Sequence, residues 1–176
     1  MRSPPTFARF WTSTMEPILL GKYLDLEAFC TCTQTYQRYG DRIDPFPQNL
    51  AETLPALQQL NQFIIDPIID RFGLDNFQLT YGFCSHDLRK SLEKKDPDTG
   101  EKNGRVAPKL DQHMAFERDR SGKFYCQRPG AACDFRILNT PSDRAIDWIL
   151  SARLPFDSLY FYGSDRPIHI SYGSQH

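Results

Sequence analysis

The residues with the most chemical potential in this chain are an aspartate and two histidines, each set in a different kind of local sequence. Asp134 closes the small-residue run "GAACDF" and is followed by an aromatic, and His169 sits inside the alternating apolar run "RPIHISYG". His113 lies in "KLDQHMAFE", just after a long polar stretch. Alternation around Asp134 and His169 predicts two half-buried strands. An unpaired carboxylate buried in such a strand costs several kcal/mol, so Asp134 needs a partner. A salt bridge would serve, and so would a metal ion. His113, Asp134 and His169 are the ligand types of a catalytic zinc site, which takes three protein ligands and keeps a further position open.

The elements that must position these side chains can be read from pattern. "KYLDLEAFCTCTQTYQRYG" predicts a short helix ending at Gly40, and "DRIDPFPQN" a proline-rich loop. Leu54, Leu57, Leu60, Ile64, Ile68 and Phe72 form one apolar stripe at spacings of three and four, which predicts a long helix stopped at Gly73 and kinked or divided at Pro67. "FQLTYGF" reads as a strand, and "SLEKKDPDTGEKNGRVAPKLD" as a long exposed loop. "FERDRSGKFYCQRPG" reads as a hairpin or flap turning at Ser121 and Gly122. "CDFRIL" is a strand, "SDRAIDWILSARL" an amphipathic helix capped by Ser142, and "DSLYFYG" and "RPIHISYG" two strands joined by a tight hairpin. The fold class expected is α+β, with a small, mainly antiparallel sheet packed on a long N-terminal helix and a second helix.

Composition narrows the function classes. A chain of 176 residues with 40% hydrophobic and 24% charged residues suits one globular domain. A formal net charge of -1 gives no electrostatic footprint for nucleic acid or an anionic membrane, so neither is an expected partner. The N-terminal stretch has no apolar run of signal-peptide length, and residues 1–21 read as an extension ahead of the domain; a cytoplasmic location is the expectation. The five cysteines (Cys30, Cys32, Cys84, Cys126 and Cys133) read as reduced thiols, and Cys30-Thr31-Cys32 lacks the two-residue spacer of zinc and redox motifs.

The order of short motifs resembles that of the zinc D-alanyl-D-alanine peptidase superfamily, in its carboxypeptidase-like branch, whose fold the hedgehog signalling domain shares. "TYGFCSHDL" resembles the family's Gly-aromatic-Arg-Ser turn, "DQHMAFE" its Ser-x-His motif, "GAACDF" its Gly-x-Ala-x-Asp motif and "HISY" its final ligand strand. The helix and strand in "AIDWILSARLPFDSLYFYG" match the segment between the last two motifs. The resemblance spans residues 22–173 and implies a zinc ion on His113, Asp134 and His169, with a metal-activated water as nucleophile on a peptide or amide carbonyl. It also implies a peptide-like ligand, with cell-wall peptidoglycan as the inherited substrate class, and a substrate-binding role for Ser85 and His86.

Three departures bear on activity. Residues 115–129 form an inserted flap between the first two ligand motifs. Cys84 stands where the family has a substrate-binding arginine, and a thiol cannot replace a planar cationic fork. Tyr162 stands where the family has its general-base glutamate, and tyrosine, with an ordinary pKa of about 10, is a poor base at neutral pH. Asp165 and Glu117 are substitute bases by position, although a turn-forming aspartate and an exposed flap residue are their simpler readings. A catalytically inactive zinc-binding interaction module, with a partner protein as ligand, is therefore the alternative to a zinc hydrolase.

Overall fold

The computed structural model describes residues 16–104 and 107–174. Residues 1–15 of the expected extension lie outside this range. Leu20 is fully buried in the core, so the folded unit begins before residue 22.

The first helical segment is two helices rather than one. Helix α1 (Leu26–Thr31) is capped by Asp25, whose carboxylate accepts from the Ala28 amide. Helix α2 (Gln34–Tyr39) is capped by Thr33, whose hydroxyl accepts from the Tyr36 amide. The Thr33 cap needs an extended backbone, which breaks the helix there. Gly40 continues into a 3-10 turn and does not act as a left-handed cap.

The long helix is divided as its sequence predicts. Helix α3 (Leu50–Leu60) widens into a π turn over Asn61–Ile65 and resumes as α4 (Asp66–Phe72). Pro67 has no N–H to give the preceding turn, and the widened turn absorbs that loss. Gly73, with φ of 90°, ends α4 in a conformation that costs only glycine little.

Strand β1 (Phe77–Tyr81) leads into helix α5 (His86–Glu93). Then come β2 (Gly130–Ile137), helix α6 (Ser142–Ser151), β3 (Ser158–Phe161) and β4 (Ile168–Gly173). The protein is thus α+β, with one antiparallel four-stranded sheet in the order β1-β2-β4-β3. Ser142 is the first residue of α6, not its cap; its hydroxyl donates to the Arg166 carbonyl and ties the helix to the β3–β4 hairpin.

Alternation gives the sheet two different faces. Cys133, Phe135, Ile168 and Ile170 point into the main core with Leu57, Leu60, Ile64, Ile68 and Ile149 of the helices. Each such fully buried side chain is worth about 1.5–3 kcal/mol relative to exposure. The opposite face carries Asp134, Arg136, His169, Ser171 and Tyr160. A second, smaller core of Ile43, Cys84, Leu88, Leu92 and Met114 fastens the loop bearing His113 to α5.

Candidate metal centre

Sheet register assembles most of the site. Asp134 of β2 lies directly opposite His169 of β4, and His169 lies opposite Tyr160 of β3. Directly paired residues on one face have Cβ atoms about 4.5–5.5 Å apart, so the register alone brings an aspartate and a histidine together. The third member arrives from the loop. His113 is flanked by Gln112 and Ala115, both in the left-handed region with φ of 58° and 46°. Non-glycine residues hold that conformation only where their surroundings enforce it. Here Met114 is anchored in the smaller core, and the His113 carbonyl accepts from the Cys84 amide at 2.9 Å.

One ligand atom from each of His113, Asp134 and His169 lies within 4.8 Å of the others, a buried group that can hold a metal ion. His169 Nδ1 is 2.8 Å from Asp134 Oδ1, and His113 Nε2 is 3.3 Å from the same oxygen. Tetrahedral zinc with bonds of about 2.0–2.1 Å separates its ligand atoms by about 3.3 Å. The His113 spacing already meets that value, and the Asp134 carboxylate has to draw back from His169 by about half an ångström. Both histidines are buried, whereas Asp134 keeps 27% of its side chain exposed.

The ring nitrogens are set up differently. His113 Nδ1 is 2.8 Å from the Gly82 carbonyl, which can only accept, so Nδ1 carries the proton and Nε2 faces the cluster. That contact depends on glycine at 82, because a Cβ there would lie 2.1 Å from the Phe29 carbonyl oxygen. His169 Nδ1 donates to the Asp134 carboxylate while Nε2 is buried without a partner, so ligation through Nδ1 would require that proton to move to Nε2. Tyr81 packs edge-on against His113 and Tyr160 stacks on His169, closing the flanks with rings.

Electrostatics follow from this arrangement. Burial raises the pKa of Asp134, but the two histidines outweigh it and hold its carboxyl below the usual range. Burial lowers His113, but the Asp134 carboxylate and, more weakly, Asp111 raise it above its ordinary value. Burial depresses His169, with the neighbouring His113 adding to the effect against the pull of Asp134. The thiols are not ligands of this kind. Burial pushes both Cys32 and Cys84 up to about 12, leaving them neutral.

The remaining sequence-predicted residues fall elsewhere. Glu117 is not an exposed flap residue: it is 1% exposed, with Oε2 2.7 Å from His86 Nε2 and Oε1 accepting from the Asn49 amide at 2.8 Å. It anchors the flap to the domain and is not in the ligand cluster. His86 is thereby committed to Glu117, and Ser85 caps α5, accepting from the Leu88 amide and donating to the Asp44 carbonyl. Asp165 is exposed in the β3–β4 turn. Tyr162 is 62% exposed beyond the end of β3, and the ring beside His169 belongs to Tyr160. Phe161 is 52% exposed, so neither face of this edge strand's aromatic run is core.

Three neighbours of the site escape a reading by motif. Asp111 accepts from the His113 amide at 3.3 Å and adds negative field at both histidines. Its signal was its place two residues before a candidate ligand. Tyr160 follows from register, and Arg136 from its position two residues beyond Asp134 on the same face. Asp134 and Arg136 both line a polar cleft of about 590 Å³ bounded by β1 and the α1–α2 junction. No family model, curated protein or solved structure matches this chain. Among the described residues no helix is long and apolar enough to cross a membrane.

Proposed function

We propose that the protein is a zinc-dependent hydrolase of peptide or amide bonds, similar in type to the D-alanyl-D-alanine peptidases. The observation that carries this reading is the asymmetry of the metal centre. Two ligands are sealed in the fold, while the third lines a cleft wide enough for a substrate. Structural zinc sites are closed, whereas catalytic ones keep an open position. Zinc is favoured over harder cations because two imidazoles and one carboxylate suit it better than an all-oxygen set. A zinc ion held there would polarise a carbonyl and lower the pKa of a coordinated water.

The chain's own residues have defined parts in this reading. The Gly82 carbonyl fixes the His113 tautomer, and Asp134 spans both histidines. Tyr81 and Tyr160 keep water from the imidazole faces. Asp111 accepts from the His113 amide and adds negative field at both histidines.

The test is hydrolysis of N-acyl dipeptides, including those ending in D-Ala-D-Ala, by zinc-loaded protein, with released amino acid read by chromatography. Turnover that is lost in His169→Ala supports the reading. A zinc-loaded wild type inert towards every peptide would instead leave the alternative, a catalytically silent zinc-binding module. The engagement of Glu117 by His86 and Asn49 and the exposure of Asp165 and Tyr162 favour that alternative.

A further inference from the structure

The cleft beside the metal centre has an unusual charge balance. Its rim and floor are built largely from neutral hydrogen-bonding side chains, among them Thr33, Thr35, Gln37, Gln78, Thr80 and Asn103. Among the described residues, only two that line it carry a formal charge at neutral pH: Asp134 and Arg136. Both stand on the same face of β2, two residues apart, which places their Cα atoms about 6.6 Å from each other. Asp134 is engaged by His113 and His169, so its charge is not available to the arginine. Arg136 is half-buried, lies across from Gln78 of β1, and has no carboxylate or hydrogen-bond acceptor for its side chain among the described residues.

A half-buried guanidinium without a counter-charge is an unmatched group. Its five donors sit in a planar fork that fits the two oxygens of a carboxylate. A cation on the three ligands would add to the positive field at this end of the cleft and leave Arg136 with still less compensation. Resting on the reading of this site as a metal centre, we infer that Arg136 anchors a carboxylate of the substrate, next to the carbonyl presented to the metal. The occupant is a hydrophilic, monoanionic acyl or peptide compound. The single guanidinium fork matches one carboxylate, and among the described lining residues there is no second cationic side chain to hold the further oxygens of a phosphate. The hydroxyl and amide lining suits a backbone or other polar groups, and its sparse apolar surface gives little purchase to a large hydrophobic side chain.

The test uses zinc-loaded full-length protein and two pairs of metal-chelating probes measured by calorimetry. Succinic and glutaric monohydroxamates carry a carboxylate; butano- and pentanohydroxamic acids are their uncharged counterparts. Wild type is expected to bind at least one carboxylated probe about tenfold or more tightly than its counterpart, the range of a charge-assisted hydrogen bond. Arg136→Gln should erase that preference while leaving the affinity for the uncharged probes unchanged, and Arg136→Lys should restore part of it. Unchanged affinity for the uncharged probes also shows that the variants are folded. Equal binding of charged and uncharged probes by wild type, or a preference that survives Arg136→Gln, overturns the assignment of Arg136 and leaves the metal centre intact. Failure of all the hydroxamates to bind zinc-loaded wild type overturns the reading of an open, catalytic metal centre and this inference with it.

Discussion

Binding of zinc to His113, Asp134 and His169 should release about one proton per ion near pH 6.5, between the lowered value of His169 and the raised value of His113, and affinity should fall about tenfold per pH unit on the acid side of that window. The count follows from the three groups taken separately. The Asp134 carboxyl is held below its usual range and is ionised well below pH 6. His169 is depressed below its ordinary 6.5, so it gives up its proton at a lower pH than His113. His113 is raised above 6.5, its Nδ1–H is bonded to the Gly82 carbonyl, and the proton that competes with zinc is the one on Nε2 facing Asp134. Because the His113 pKa is raised, the competing proton is fully present below 6.5 and is lost as pH rises through the higher folded value. Zinc affinity therefore climbs with pH up to that value and then levels off, each unit of the climb being about 1.4 kcal/mol. Calorimetric titration in two buffers of different ionisation enthalpy counts the protons directly. An affinity that stays flat through about pH 6.5, or a release of two protons there, would refute this assignment of protonation states.

Gly82→Ala forces a Cβ against the Phe29 carbonyl at 2.1 Å and shifts the carbonyl that orients His113. It should cost about 1–3 kcal/mol by urea denaturation and weaken zinc binding about 10- to 100-fold. Glu117→Ala leaves the Asn49 amide and the His86 ring without their buried partner, at a cost of about 1–3 kcal/mol. It should leave zinc stoichiometry unchanged, whereas a loss of bound metal would place Glu117 in the centre after all. Zinc at about a hundredfold over its Kd should add about 2.7 kcal/mol to the wild type. For a chain of this size that raises the Tm by about 5–10 °C, and the rise should vanish in Asp134→Ala.

Much of this architecture was legible because it rests on local pattern. The apolar stripe from Leu54 to Phe72 and the alternation around Asp134 and His169 report burial directly, and the structure holds them as a divided helix and two central strands. What pattern could not give was the outcome of contacts distant in sequence. Thr33 breaks a helix that reads as continuous, because its side chain caps the next turn. Glu117 sits in a charged flap and looks solvated, yet Asn49 and His86, far away in the chain, supply it with buried partners. Ser142 looks like a cap, but its hydroxyl reaches Arg166. Within the site, Asp134 and His169 follow from strand register, while the orientation of His113 depends on a backbone carbonyl that no side-chain motif encodes. Tyr160, not Tyr162, stands beside His169 because the β3–β4 register sets it directly opposite.

The central claim is that these three side chains hold one metal ion, and metal content tests it most directly. Elemental mass spectrometry on protein purified without added zinc, for wild type, His113→Ala and His169→Ala, is expected to give about one zinc per wild-type chain and a loss in both variants. A wild type that stays metal-free even after zinc is offered, or variants that retain it, would contradict the account.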